Sequence, residues 1–257
     1  MKTTFAHPVK STLRAMPRWL ALSALAASLG ACSMFGGKDK PKPLELGSNP
    51  GLIQVHQAWS AKLGGEVPLA MPAQVQGSEV ALVAKDGSIT VLDARSGAQA
   101  LRFSAGEPLT TGVGSDGGRM AVVTRSNRLA VFEQGRQLWK QPLPAAAYTP
   151  PLVAGGRVFV LAADRSLAAF DAANGRKLWT TQRPGEPLVL RQPGVLMAVG
   201  NTLVAGLSGR MVGIDPDTGA VRWETPLASP RGTNDVERLV DLVGRVSPYQ
   251  FQVPPVF

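Results

Sequence analysis

Short stretches in which apolar and polar residues alternate dominate the chain from about residue 80 onward. Residues 80–83 are followed by a Lys-Asp-Gly turn and by a second apolar stretch at 89–92, which ends at Asp93. A period of two residues, interrupted by a tight turn, predicts a β-hairpin. The same unit recurs at residues 120–133, 158–171 and 199–215. The pattern therefore predicts an all-β chain built from repeated hairpins.

Each unit ends in an acidic residue, and the four acids recur at nearly constant spacing. Asp93, Glu133, Asp171 and Asp215 are separated by 40, 38 and 44 residues. Self-similarity with a period of about 40 residues indicates stacked supersecondary units. Because these units consist of strands and turns, we predict a β-propeller of four-stranded blades, with about four to five blades present.

After three of the acids the chain continues toward a glycine, and each repeat also supplies a large apolar residue. We predict that the acid accepts N–H bonds within its own turn and that the glycine provides a positive φ. The tryptophan fills the wedge between blades and donates its indole N–H to a nearby carbonyl. The predicted structural residues are Trp59, Asp93, Gly97, Trp139, Asp171, Gly175, Trp179, Asp215, Gly219 and Trp223.

The N-terminus has the features of a secretory signal. Four basic residues precede an uncharged stretch at 19–31, which is too short to span a bilayer. The stretch ends in Leu-Gly-Ala-Cys32, which resembles the lipobox of bacterial lipoprotein precursors. We therefore predict a signal peptide at 1–31, lipidation (palmitate) of Cys32, a flexible tether at 32–49, a partial propeller at 50–245 and a non-repeat tail at 246–257.

Composition narrows the classes of function. The single cysteine excludes a disulfide framework, and two histidines make a histidine metal cluster or a Ser-His-Asp triad improbable. The net charge of +9 is carried by scattered Lys and Arg, so we predict no nucleic-acid partner. Asp215-Pro-Asp-Thr-Gly begins like a calcium loop, but Pro226 stands where an EF-hand needs Glu, so we predict no metal site.

The unit of strand, Asp-Gly turn, strand, Asp-x-x-Thr-Gly and Trp resembles the pyrroloquinoline-quinone (PQQ) enzyme-like repeat. With the lipobox and the tether, the chain is similar to the BamB family of lipoproteins, which belong to the β-barrel assembly machinery (BAM) of Gram-negative outer membranes. The resemblance implies an eight-bladed, non-enzymatic scaffold without a cofactor, anchored in the outer membrane and facing the periplasm. It also implies three kinds of partner: the POTRA domains of BamA, the rest of BAM, and nascent outer-membrane proteins.

Two segments carry the more specific part of this resemblance. Residues 187–191, Pro-Leu-Val-Leu-Arg, are similar to the Leu-x-Leu-Arg loop through which the family docks on BamA, and residues 233–241 are similar to an acidic loop beside it. The resemblance implies that the BamA-binding residues are Leu188, Leu190, Arg191 and Asp241. Val243 stands where the family can have a second acid.

Length and cofactor chemistry leave other interpretations open. Eight blades of about 40 residues need more than about 300 residues, whereas 208 follow the tether, so we expect a C-terminal truncation or frameshift near Val246.

A PQQ-dependent quinoprotein dehydrogenase is one alternative to the scaffold function, although by resemblance such enzymes use an adjacent Cys pair and calcium. A periplasmic propeller that binds carbohydrate or peptidoglycan is another.

Overall fold

The computed structural model describes residues 56–68, 70–183, 189–229, 231, 233–234, 236–237 and 239–243. Several sequence-based predictions lie outside these residues: the signal peptide, Cys32 and the tether, Leu188, and the tail at 246–257. Regular structure within the described residues is entirely β. Accordingly, this part of the chain has no helix suited to crossing a membrane.

The described residues form sixteen strands in four antiparallel sheets of four. Blade 1 contains β1 Gln74–Gln76, β2 Glu79–Val83, β3 Ser88–Asp93 and β4 Gln99–Ser104. Blade 2 contains β5 Gly114–Ser115, β6 Arg119–Val123, β7 Arg128–Glu133 and β8 Arg136–Pro142. Blade 3 contains β9 Leu152–Ala154, β10 Arg157–Leu161, β11 Ser166–Asp171 and β12 Lys177–Gln182. Blade 4 contains β13 Leu196–Val199, β14 Thr202–Leu207, β15 Arg210–Ile214 and β16 Val221–Pro226.

Strands follow one another in chain order within every sheet, so each blade is an up-and-down meander. The first strands of successive blades, β1, β5, β9 and β13, contact one another and form the inner side, while β4, β8, β12 and β16 are the outermost strands. This is the blade topology of a β-propeller. The predicted fold class is confirmed.

Buried side chains on both faces of the middle strands hold the blades together. Along β6, Met120 and Val122 pack toward blade 1, whereas Ala121 and Val123 pack toward blade 3. Successive side chains of a strand point to opposite faces, so one strand contributes to two interfaces. The apolar alternation in the sequence therefore forms a core at each joint between neighbouring blades.

Antiparallel order also sorts the loops onto two faces of the molecule. The turns between the second and third strands of each blade, here called the middle turns, lie on the same face as the connections between blades. Backbone hydrogen bonds join the two sets, as from Lys85 N–H to the Glu66 carbonyl and from Ala163 N–H to the Ala146 carbonyl. We call this side the loop face. It carries the two segments that resemble docking loops.

Candidate functional site

The three repeat aspartates bond the backbone of their own turns. Oδ1 of Asp93 accepts the N–H groups of Arg95 at 3.0 Å and Ser96 at 2.7 Å, and Asp171 and Asp215 make the same pair of bonds in their blades. Hydrogen bonds from the hydroxyl and amide of Ser96 hold the pKa of Asp93 below its ordinary value. These acids cap turns at the ends of the third strands.

A guanidinium stabilises the acid of blade 4 further. Arg222 Nη2 lies 2.6 Å from Asp215 Oδ2. This contact and the backbone N–H of Asp217 lower the pKa of Asp215 to about 2. The second oxygen of this carboxylate is therefore also engaged within the blade, and the calcium-like sequence forms an ordinary turn. Within the described residues, no group of three or more His, Cys, Asp or Glu side chains is placed to hold a metal ion.

The glycine of each of these turns receives a tryptophan ring from a preceding part of the chain. Gly97, Gly175 and Gly219 have φ of 70°, 74° and 76°. A Cβ at Gly175 would stand 2.6 Å from the ring of Trp139. The position therefore needs glycine twice, for the left-handed backbone and for the space under the indole.

A hydrogen bond completes each of these joints. The indole Nε1 of Trp59 donates to the carbonyl of Ala94 at 2.9 Å, that of Trp139 to Ala172 at 2.9 Å, and that of Trp179 to Pro216 at 3.0 Å. The acceptor is always the residue that follows the Asp. Trp59 docks in this way from an irregular segment, not from a strand. Trp223 is 43% exposed, and its indole N–H has no partner among the described residues.

The joint between blades 1 and 2 is built differently. The turn after Glu133 contains only Gln134 and Gly135, with φ of 49° and 77°, so the carbonyl that would accept an indole N–H is absent from this two-residue turn. Leu101 lies near Gly135 in place of a tryptophan, and a Phe pair, Phe103 and Phe132, packs with ring centroids 5.0 Å apart.

On the loop face, the two segments that resemble docking loops contact each other. The backbone N–H of Leu190 donates to Oδ2 of Asp241 at 2.8 Å, across 51 residues of sequence. Four residues further along the first segment, Gly194 forms an isolated antiparallel bridge with Val243. A carboxylate and a short bridge therefore hold the two loops together.

The side chains next to this contact are accessible. Leu190 is 36% exposed, and Arg191 is exposed with its guanidinium carbon 6.0 Å from the centre of the Tyr148 ring. An apolar group beside an arginine is a common composition for a protein-binding surface. Of the four residues implied by the resemblance, Leu190, Arg191 and Asp241 lie together, and Leu188 is outside the described residues.

A small, open pocket lies beside the paired loops. Leu190 and Asp241 line it, and so do Arg165 and Ser208 from the middle turns of blades 3 and 4. Sequence reasoning missed Tyr148, Arg165 and Ser208 as lining residues. Stacking the repeats could have indicated Arg165, because it occupies the turn position that is Gly87 in blade 1.

The inner strands border a hollow of different chemistry. Its lining consists of Pro, Gly, Gln, Ser, Thr and aliphatic residues, and no described carboxylate reaches it. PQQ sites of the repeat's enzyme relatives are expected to need acidic and amide ligands for calcium, together with a Cys pair. The residues that line this hollow therefore do not fit PQQ and its calcium ion.

The sequence is similar to a family of known proteins. The family model described as outer membrane protein assembly factor BamB matches residues 57–252. A protein of that name from Bordetella pertussis is 36% identical over 84% of this chain and 57% of its own length. Another, from Burkholderia pseudomallei, is 33% identical over 89% of this chain and 61% of its own. The chain thus spans less than two thirds of the length of these relatives.

Solved structures share the fold. The crystal structure of BamB from Moraxella catarrhalis superposes with a TM-score of 0.63 and 21% identity, covering 70% of this chain and 56% of that one. The quinohemoprotein alcohol dehydrogenase ADHIIG from Pseudomonas putida HK5 gives 0.53 and 18%, covering 66% and 35%. At such identities the likeness establishes the propeller architecture alone, because one fold carries many functions.

Proposed function

The chain belongs to the BamB family of outer membrane protein assembly factors, and from this premise we propose that it acts as a non-enzymatic scaffold of the BAM complex. It binds the POTRA domains of BamA through the paired loops of the loop face. In this role it assists the assembly of nascent β-barrel proteins and their insertion into the outer membrane.

The observation that supports this proposal is the bond between Leu190 and Asp241. It joins the two segments that the family resemblance marks as docking loops, and it leaves Leu190 and Arg191 exposed beside each other. Residues that are separated by 51 positions and meet on an accessible loop face form a composite surface. Functional contacts on rigid scaffolds are commonly carried by such loops.

The non-enzymatic part of the proposal is supported by how the acids are used. Three of the four repeat carboxylates bond their own turns, and Asp241 bonds Leu190. The fourth, Glu133, pairs with Arg119 of its own blade. Perturbed pKa values occur at structural ion pairs as well as at catalytic sites, and at Asp93 and Asp215 the causes are turn hydrogen bonds and an arginine of the same blade. We infer a docking surface instead of a reaction centre.

Anchoring follows from the N-terminal sequence. We propose that Cys32 becomes the acylated N-terminus of the mature protein and that the residues after it tether the propeller to the periplasmic face of the outer membrane. A single acyl chain holds a protein only weakly, whereas more than one gives stable attachment. The tether then keeps the loop face within reach of a membrane-bound partner.

A binding experiment tests the proposed docking site. The triple variant Leu188→Ala, Leu190→Ala and Arg191→Ala is compared with the wild-type chain for its affinity toward purified POTRA domains of BamA. A matched control changes Leu138, Val199 and Arg136 to Ala, because these are exposed apolar and basic residues of the strands, outside the paired loops.

We expect the triple variant to lose at least tenfold in affinity and the control to bind like the wild type. Anchor residues of protein interfaces typically contribute this much or more when truncated to Ala. Undiminished binding by the triple variant would refute the assignment of the site. Absence of binding by the wild-type chain would refute the proposed partner.

A further inference from the structure

Arg165 has a backbone conformation that arginine rarely adopts. Its φ is +63°, and its N–H donates to the carbonyl of Ala162, three residues earlier. The corresponding residues of blades 1 and 2 are Gly87 and Asn127, which make the same backbone bond. Glycine and asparagine tolerate the left-handed region, whereas other residues are strained there. Backbone strain that is retained at this turn indicates that the side chain of Arg165 has a structural or functional role.

The side chain of Arg165 reaches from blade 3 to blade 4. Its Nε donates to Oγ of Ser208 at 2.7 Å, and the residue is only 8% exposed. Ser208 has a positive φ of 49° as well. The bond therefore joins two neighbouring middle turns, each of which has a non-glycine residue in the left-handed region.

Blade 4 in turn supports the acidic docking segment. A Cβ on Gly209 would stand 3.0 Å from Cγ2 of Val240, and one on Gly206 would stand 3.1 Å from Cβ of Leu242. The end of β14 and its middle turn thus pack directly against the two residues that flank Asp241. Asp241 accepts the N–H of Leu190.

We propose that Arg165 is a positioning residue of the docking site. Through its bond to Ser208, Arg165 fixes the middle turn of blade 4. This turn and the adjoining end of β14 support the segment that carries Asp241. Asp241 in turn holds Leu190 in place. The effect on partner binding rests on the proposed function, whereas the effect on the Leu190 amide is a property of the free protein. Preorganised loops bind more tightly because less freedom is lost on association.

Two variants and one control test the inference in the full chain. Arg165→Gly gives blade 3 the residue found in blade 1 and removes both the strain and the side chain. Ser208→Ala removes the acceptor of the bond without changing Arg165. Asn127→Gly is the control, because it makes the corresponding change in the middle turn of blade 2. Three quantities are measured: hydrogen exchange of the Leu190 amide, the thermal midpoint, and affinity for POTRA domains of BamA.

Exchange at Leu190 is expected to accelerate at least tenfold in Arg165→Gly and Ser208→Ala and to stay unchanged in Asn127→Gly. The midpoint should move by less than about 4 °C in both variants: in Arg165→Gly the relief of backbone strain offsets the lost hydrogen bond, and in Ser208→Ala a single hydrogen bond is lost. Affinity should fall at least tenfold in the same two variants. Unchanged exchange at Leu190 would overturn the inference, as would a large drop in the midpoint with uniformly faster exchange. Faster exchange at Leu190 in a chain that never binds BamA would leave the inference intact and refute the partner.

Discussion

The indole N–H of Trp139 donates to the carbonyl oxygen of Ala172 across the joint between blades 2 and 3. Trp139 is only 8% exposed, so this donor and its acceptor are removed from water together. A buried indole N–H without a partner would cost the free energy of its lost hydration. The position of Ala172 directly after Asp171 lets the turn capped by this acid present its carbonyl to the ring.

Replacing Trp139 with Phe should separate this bond from the packing of the ring. The variant loses the N–H and part of the ring area, so we expect the free energy of unfolding to fall by about 1–3 kcal/mol. Trp223→Phe is the matched control, since Trp223 is 43% exposed and its indole N–H makes no hydrogen bond within the described part of the chain. Its cost should stay below about 0.5 kcal/mol in the same denaturant titration. Equal costs at the two positions would contradict this role of the bond.

Gly175 offers a second test of the same joint. Gly175→Ala places a methyl group against the ring of Trp139 in a backbone with φ of 74°, whereas Gly156→Ala meets an almost identical φ of 73° with nothing within 4 Å. The shared backbone strain should cost about 1–2 kcal/mol in each. The displaced ring should cost Gly175→Ala about 1–3 kcal/mol more, as measured by thermal or denaturant unfolding.

The sequence predicted the fold because its repeat is periodic at two levels. Alternation along each strand indicated hairpins, and the recurrence of Asp93, Glu133, Asp171 and Asp215 indicated blades. These signals are local in the sequence, so they can be recognised without knowledge of tertiary contacts. The segment around Trp59 is irregular in the structure, because no strand of the described residues pairs with it to form a ladder.

The candidate site was predictable only in part. The resemblance pointed to Leu190, Arg191 and Asp241, but neither alternation nor spacing could indicate that Leu190 and Asp241 would bond each other. Contacts between irregular loops depend on the positions that the packed blades give to these loops, and the periodicity of the sequence does not indicate those positions. Arg165 is different: its place in the repeat was visible, but its burial and its reach to Ser208 required the packed structure.

Acid stability should depend on Glu107. Its carboxylate bonds the ammonium of Lys140 and the hydroxyl of Ser126, and these contacts lower its pKa from 4.5 to about 2. A carboxylate with a lowered pKa in the folded state contributes stability that is present above the unfolded value and lost as pH falls. The loss should therefore lie between about pH 5 and pH 2.

Glu107→Gln should reveal this contribution directly. The difference in thermal midpoint between wild type and variant should be largest at neutral pH and shrink toward zero as pH falls from 5 to 2. Glu79→Gln, which changes a carboxylate of β2, is the control for a general effect of charge. A difference at Glu107 that stays constant across this range would show that the lowered pKa does not contribute to stability.

The lipid anchor can be tested independently of docking. Cys32→Ser should abolish acylation, because serine lacks the thiol that receives the lipid. We expect the variant to lose the mass of the acyl groups and to leave the outer-membrane fraction for the soluble periplasmic fraction. Ser33→Ala, the adjacent change of similar size, should keep both the mass and the membrane association. Membrane retention of Cys32→Ser would contradict lipid anchoring through this residue.

Asp241 allows the geometry of the docking loops to be separated from their charge. Asp241→Ala removes the acceptor of the Leu190 N–H, and because that amide lies in an exposed loop, the free energy of unfolding should fall by no more than about 1 kcal/mol. Affinity for the POTRA domains should fall at least tenfold, since the loop must then be ordered on binding.

Asp241→Asn keeps an oxygen acceptor and loses the charge, so its affinity should lie between those of the wild type and the Ala variant. The residual loss in Asp241→Asn should diminish as salt is raised from 0.05 to about 0.5 M, because salt screens a charge contribution but not a geometric one. Wild-type affinity in both variants would remove Asp241 from the site.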